Sequence, residues 1–138
     1  MFHIDGGAVS REVARGRWLR IVKRTAGFRW CVHSLDDARF IGHAMINPTQ
    51  PDNGCEISYI LAEAEWGKGY ATEIAKALVV YSRDRMGLGA IYGTLDEGFE
   101  ASINVSRKAG LKFLGYDFDD QGRYLVYVMR HREEREIV

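Results

Sequence analysis

The chain has 138 residues, 46% hydrophobic and 28% charged, with nineteen Lys and Arg balanced by nineteen Asp and Glu. A domain of this size buries roughly 65 to 70% of the surface that its unfolded chain exposes, so one fold with a sizeable core is expected over residues 1–138. The neutral balance excludes an overall field that draws nucleic acid or an anionic membrane, and no window approaches the roughly 18 uninterrupted apolar residues of a membrane span.

Met1 to Gly7 lacks the basic start and apolar run of a secretory signal, so a cytoplasmic protein is expected, and no opening strand is read before Ser10. From Ser10 to about Arg24, Val13, Trp18, Leu19 and Val22 recur among arginines at helical spacings, which predicts a basic amphipathic helix. Phe28 to Leu35 and Phe40 to Ile46 flank the polar turn Asp36, Asp37, Ala38, Arg39 and read as an antiparallel hairpin. Asn47 to Gly54, with Pro48, Pro51 and Asn53, reads as a loop, and Glu56 to Leu61 (EISYIL) as a third strand.

The chain then turns at Trp66, Gly67, Lys68 and Gly69 into a helix whose apolar face is Ile74, Ala77, Leu78 and Tyr81; it ends near Met86, with Gly87 as a left-handed cap. Ala90 to Leu95 is a fourth strand, and Ala101 to Ala109 a second helix stopped by Gly110. Phe113 to Phe118 and Tyr124 to Met129 close the pattern as a hairpin around Asp119 to Gly122, before a charged tail from His131 to Val138. The order predicts an α/β (α+β) fold: a mixed, mostly antiparallel sheet with a central parallel strand-helix-strand crossover and flanking helices.

Cys31 and Cys55 follow no metal-ligand spacing and read as reduced, mostly buried thiols. His3, His33, His43 and His131 are scattered with no i, i+4 pair, so no metal site is expected. Trp18, Phe28 and Trp30 read as core aromatics, with a substrate-lining role as the less favoured alternative.

The run WGKGYAT, Trp66 to Thr72, sits between a strand and a helix start. Amides at a helix N-terminus lack intrahelical acceptors, the two glycines let an anion approach the backbone, and Lys68 adds a compact positive charge. A diphosphate suits such a turn. The dinucleotide fingerprint needs glycine or alanine where Thr72 stands, and the P-loop needs serine or threonine directly after its Gly-Lys pair, which this run lacks, so neither pattern fits.

From Glu56 through Leu111 the chain resembles the GNAT superfamily of N-acetyltransferases, and in particular its ribosomal-protein N-terminal acetyltransferase branch. EISYIL, WGKGYATE and ASINVSRKAGL carry the resemblance, in the family's order and spacing. It implies a fold in which the strand before the glycine turn splays from the next parallel strand, and acetyl-CoA enters the gap as cosubstrate. The pantetheine arm would then lie along Tyr59, Ile60 and Leu61, with Ser102 also in contact. Trp66 to Thr72 would hold the pyrophosphate on the amides of Gly67, Lys68, Gly69, Tyr70 and Ala71. Phe99 stands where the branch carries an asparagine, Ser106 where some members carry a tyrosine acid, and Ala64 where glutamine or arginine is common.

The implied activity is transfer of acetyl to a primary amine, on a protein N-terminus or a small molecule, with a homodimer left open. An attacking amine must be neutral and the tetrahedral oxyanion must be stabilised. Glu56 is the candidate base, against the plainer reading of a strand-end carboxylate; a backbone amide near Ile60 would hold the oxyanion. Ser102, Ser106 and Tyr92 are candidates for protonating the thiolate. A non-catalytic module that binds coenzyme A or a partner is the alternative that Phe99 and Ser106 keep open.

Overall fold

The computed structural model describes residues 2–4, 7–9, 27–49 and 53–130. Its strands are β1 (Phe2–Ile4), β2 (Gly7–Val9), β3 (Phe28–His33), β4 (Phe40–Thr49), β5 (Gly54–Ala62), β6 (Ala90–Asp96), β7 (Lys112–Asp119) and β8 (Gly122–Arg130). All eight join one mixed sheet. The helix α1 (Tyr70–Val80) connects β5 to β6, and α2 (Glu100–Lys108) connects β6 to β7. β5 and β6 pair parallel across the α1 crossover, whereas the other pairings, β1 with β2 and β5, β3 with β4, β4 with β5, and β8 with β6 and β7, are antiparallel.

Both helices cover one face of the sheet. α1 buries Ile74, Ala75, Leu78 and Val79, an apolar stripe at helical spacing, and α2 buries Ser102, Ile103 and Ser106. They pack on Ala44 and Ile46 of β4, Cys55, Ile57 and Leu61 of β5, Ile91 and Leu95 of β6, and Tyr127 of β8. Ile46 and Ile91 are fully buried, each contributing about 1.5–3 kcal/mol of transfer free energy. Because successive side chains alternate, Glu56, Ser58, Tyr92, Thr94 and Tyr124 stand on the opposite face.

α2 ends in a Schellman motif. The Gly110 N–H donates to the Arg107 carbonyl at 3.0 Å, the Leu111 N–H donates to the Ser106 carbonyl at 3.0 Å, and Gly110 holds φ +100°. After Val80 the first helix widens into a π-helical turn over Tyr81–Arg85 before Gly87 reverses it at φ +66°.

Several expectations shift. A short hairpin, β1 with β2, lies where no opening strand was read; three-residue strands are too short for an alternation to show. Asn47, Pro48 and Thr49 continue β4 instead of forming a loop, in register with Glu56, Cys55 and Gly54. Pro48 is tolerated because β3 stops at Phe28↔Ile46, so that among the described residues this stretch of β4 is paired on one side only. Cys31 is exposed and not buried, because β3 is an edge strand and the residue faces away from the helices; its Sγ lies 3.8 Å from His43 Nδ1. Burial holds the His43 imidazole below its ordinary pKa. The helix expected over Ser10 to Arg24, including Trp18, and the tail from His131 lie outside the described residues. Among the described residues no helix is long and apolar enough to cross a membrane, and no three His, Cys, Asp or Glu side chains gather to hold a metal.

Candidate functional site

β5 and β6 pair in parallel only from Gly54↔Ala90 to Glu56↔Tyr92, although β5 runs on to Ala62 and β6 to Asp96. Leu61 already pairs with Gly42 of β4, so its pairing with His3 of β1 must use the edge of β5 that faces β6. On that edge Ile57 to Ile60 have no strand partner among the described residues, and the gap opens toward the carboxyl ends of the parallel strands, where α/β sheets take their ligands.

At the floor of the gap is a slot of about 30 Å³ between the sheet and the helices. Tyr59, Gly93 and Leu95 line it from the helix-bearing face, Ser58 and Thr94 border it where the two strands part, and the buried Ser102 and Ser106 line it from α2. Gly93 keeps it open: a Cβ there would stand 3.3 Å from Leu111 Cδ2 and 3.8 Å from Ser106 Oγ. Glu56 lies where the strands part, and the Thr94 hydroxyl donates to its Oε2 at 2.7 Å. Tyr124 shares this face; burial pushes its phenol above the ordinary value, and the charges of Asp117 and Glu56 push the same way. Tyr92 does not reach the slot, since its hydroxyl accepts from Arg130 Nη2 at 3.2 Å.

Beyond β5 a single 3-10 turn, Glu63–Glu65, leads into the glycine loop. The half-buried Trp66 indole donates to the Leu61 carbonyl at 3.1 Å, tying the loop to the strand end. Gly67 and Gly69 hold φ +76° and +86°, and a Cβ on either would meet nothing within 4 Å. The Trp66 N–H donates back to Glu63 and the Glu73 N–H to Gly69. Between them the amides of Gly67, Lys68, Gly69, Tyr70, Ala71 and Thr72 have no backbone acceptor among the described residues, as the first turn of a helix requires. The macrodipole of α1 favours negative charge in front of these amides.

A buried carboxylate braces the loop. Glu65 is 4% exposed, accepts from Arg39 Nε at 2.8 Å and Nη2 at 3.1 Å, and accepts from Lys68 Nζ at 3.2 Å. Arg39 Nη2 also donates to the Tyr70 hydroxyl at 3.2 Å, and its Nη1 to Asp37 at 2.9 Å. Hydrogen bonding to Arg39 holds the Glu65 carboxyl below the ordinary carboxylate range. Lys68 is thus tethered beside the amides, its charge shared with Glu65.

The description "Acetyltransferase (GNAT) domain" is that of a family model matching residues 5–112. The chain belongs to the GNAT acetyltransferase family. As a GNAT chain it is similar to the uncharacterized protein YkkB of Bacillus subtilis (strain 168), at 34% identity over 86 residues, covering 61% of this chain and 50% of that protein. The chain thus matches about half the length of that relative. The fold is similar to that of a GNAT-family acetyltransferase from Bacillus anthracis, with TM-score 0.72 and 21% identity over 91% of this chain and 77% of the other. It is also similar to the aminoglycoside acetyltransferase AAC(6')-Ib solved with coenzyme A and kanamycin, with TM-score 0.71 and 15% identity over 86% and 74% of the two chains.

Within this GNAT fold, Ser58, Tyr59, Ser102 and Ser106 meet at the slot, whereas Trp66 to Thr72 form the separate amide cradle beyond it. Ile60 and Leu61 lie between the two on β5. Arg39, Glu65, Gly93, Thr94 and Tyr124 were not singled out as site residues by sequence. Arg39 and Glu65 are 26 positions apart and Glu56 and Thr94 are 38, so no local pattern couples them.

Proposed function

We propose that this chain is an N-acetyltransferase that moves the acetyl group of acetyl-CoA to a primary amine, a protein N-terminus or a small molecule, by direct attack. The observation that carries the reading is the slot where β5 and β6 part: Ser102 and Ser106 line it from the helix side, and Thr94, which borders it, hydrogen-bonds Glu56. A thioester reaching the slot past the amides of Gly67 to Ala71 would meet an amine arriving from the open side.

The pyrophosphate rests on the amides of Gly67, Lys68, Gly69, Tyr70 and Ala71, between Trp66 and Thr72, and the pantetheine arm follows Tyr59, Ile60 and Leu61. Glu56 accepts the proton of the amine, whose nitrogen forms a bond to the carbonyl carbon; a backbone amide near Ile60 stabilises the oxyanion. Collapse breaks the carbon–sulfur bond. With a thiol pKa of about 8.5 the thiolate leaves without a strong acid, aided by the Ser102 and Ser106 hydroxyls, and takes up the released proton. No metal takes part in these steps, and the reading carries a cytoplasmic enzyme.

The coenzyme A complex of a protein with the same fold supports the cofactor, and kanamycin, its partner there, supports an amine acceptor. Incubation with acetyl-CoA and a panel of N-terminal peptides, polyamines and aminoglycosides tests the reading: thiol release is expected with at least one of them and should fall sharply in Glu56→Gln. A coenzyme A-binding module without turnover is the second reading, favoured by Phe99 at the uncapped start of α2 and by Ser106 in place of a stronger acid. Tight acetyl-CoA binding with no thiol release across the panel would select it.

A further inference from the structure

A second cavity, of about 500 Å³, lies between the β3–β4 hairpin and the outer side of α1. It shares no lining residue with the slot. Ile41, Ala44, Ile74 and Leu78, all buried, form its apolar floor. Trp30, Tyr70 and Tyr81 line it with aromatic surface, Trp30 meeting Tyr81 edge-on with ring centroids 5.3 Å apart. Asp36 and Glu73 add two exposed carboxylates, and neither has a side-chain hydrogen bond or ion pair among the described residues.

Its charge is one-sided. Among the described residues no Lys or Arg lines the cavity, and His33 adds an imidazole at its rim. Among the described residues, Arg39 is engaged with Glu65, Asp37 and the Tyr70 hydroxyl, and Arg85 lies beside the Tyr81 ring, 5.8 Å from its centroid. An anion would face two carboxylates, and a neutral apolar guest would leave them without a counter-charge. A bare metal ion would find apolar floor where it needs oxygen ligands. A cation with an apolar body satisfies all three surfaces, through area burial on the floor, cation–π contact with the rings, and ion pairing at Asp36 and Glu73. The volume falls within the usual range of small-molecule sites, about 300–1,000 Å³.

We propose that this cavity is a binding site for a small organic cation, of the aryl- or alkylammonium class, distinct from the acetyl-transfer cleft. The inference stands on the cavity alone and does not require the chain to be catalytic.

Calorimetric titration of the full chain at low salt with benzyltrimethylammonium, benzyl alcohol and benzoate tests it. Saturable one-to-one binding of the cation is expected, with the alcohol and the benzoate at least tenfold weaker. The double variant Asp36→Asn, Glu73→Gln should weaken the cation at least tenfold while its circular dichroism spectrum is unchanged. Should that protein fold poorly, Glu73→Gln alone, at an exposed first-turn position, is expected to weaken binding several-fold. Absence of saturable binding, equal binding of the alcohol, or unchanged affinity in a well-folded variant would overturn the proposal.

Discussion

The Thr94 hydroxyl donates to the Glu56 carboxylate at 2.7 Å, across the point where β5 and β6 cease to pair. The parallel ladder ends at Glu56↔Tyr92, so the next inter-strand polar contact is made by side chains, and it ties the carboxylate to Thr94, which borders the slot. In the proposed mechanism Glu56 is the base and Thr94 the residue that positions it.

Glu56→Gln is therefore expected to lower kcat by about 10²-fold or more, the usual loss on removing a general base, while the acetyl-CoA dissociation constant changes little. Thr94→Val should lower kcat by a smaller factor with KM for acetyl-CoA preserved. Steady-state kinetics with calorimetric binding separates the two effects, and a parallel rise in KM would point to a structural role for Thr94.

Gly69 holds φ +86° with open space where a side chain would project. Gly69→Ala is expected to cost about 1–2 kcal/mol through backbone conformation alone. In addition, its methyl group would stand before amides assigned to the pyrophosphate, so coenzyme A affinity should fall at least tenfold. The control is Gly87→Ala, at φ +66° and outside the site, which should lose comparable stability and keep affinity.

The Glu65 carboxyl titrates below its ordinary value of about 4.3 in the folded chain, because Arg39 hydrogen-bonds its charged form. Asp37 is held low as well, first by the Arg39 backbone N–H. The unfolded chain therefore takes up these protons first as the pH falls. The stabilisation is complete above about pH 4.3 and is lost as the pH drops through the folded values. Thermal melts from pH 7 to 3 should show Tm falling below that point. Glu65→Gln should lower Tm at pH 7 and flatten the acid dependence, since its amide cannot pair with both Arg39 and Lys68 as an anion.

Cys31 is exposed, whereas Cys55 is buried against Ser82 Oγ at 3.5 Å and burial pushes its thiol up. Iodoacetamide under native conditions should add once, at Cys31, and twice only after denaturation, as read by mass spectrometry. Native labelling of Cys55 would show that α1 opens readily from the sheet.

What was legible in the sequence was whatever depends on neighbours along the chain. The glycine turn at Gly67 and Gly69, the apolar stripe of α1 and the stop at Gly110 each obey a period or a cap set within a few residues, so local order announced them. The three-residue strand β1 and the continuation of β4 through Pro48 were not legible, because the first is too short to alternate and the second depends on where β3 ends.

By itself, then, the sequence determined the element order, the parallel crossover and the loop of unpaired amides, since backbone geometry at a helix start follows from the residues present. Only the tertiary structure decided which side chains meet across it. Glu65 is buried under Arg39, Glu56 bonds to Thr94, and Trp30 faces Tyr81 over a carboxylate-rimmed cavity. These pairings lie far apart in sequence, and sheet register and helix docking bring them together; no spacing along the chain encodes them.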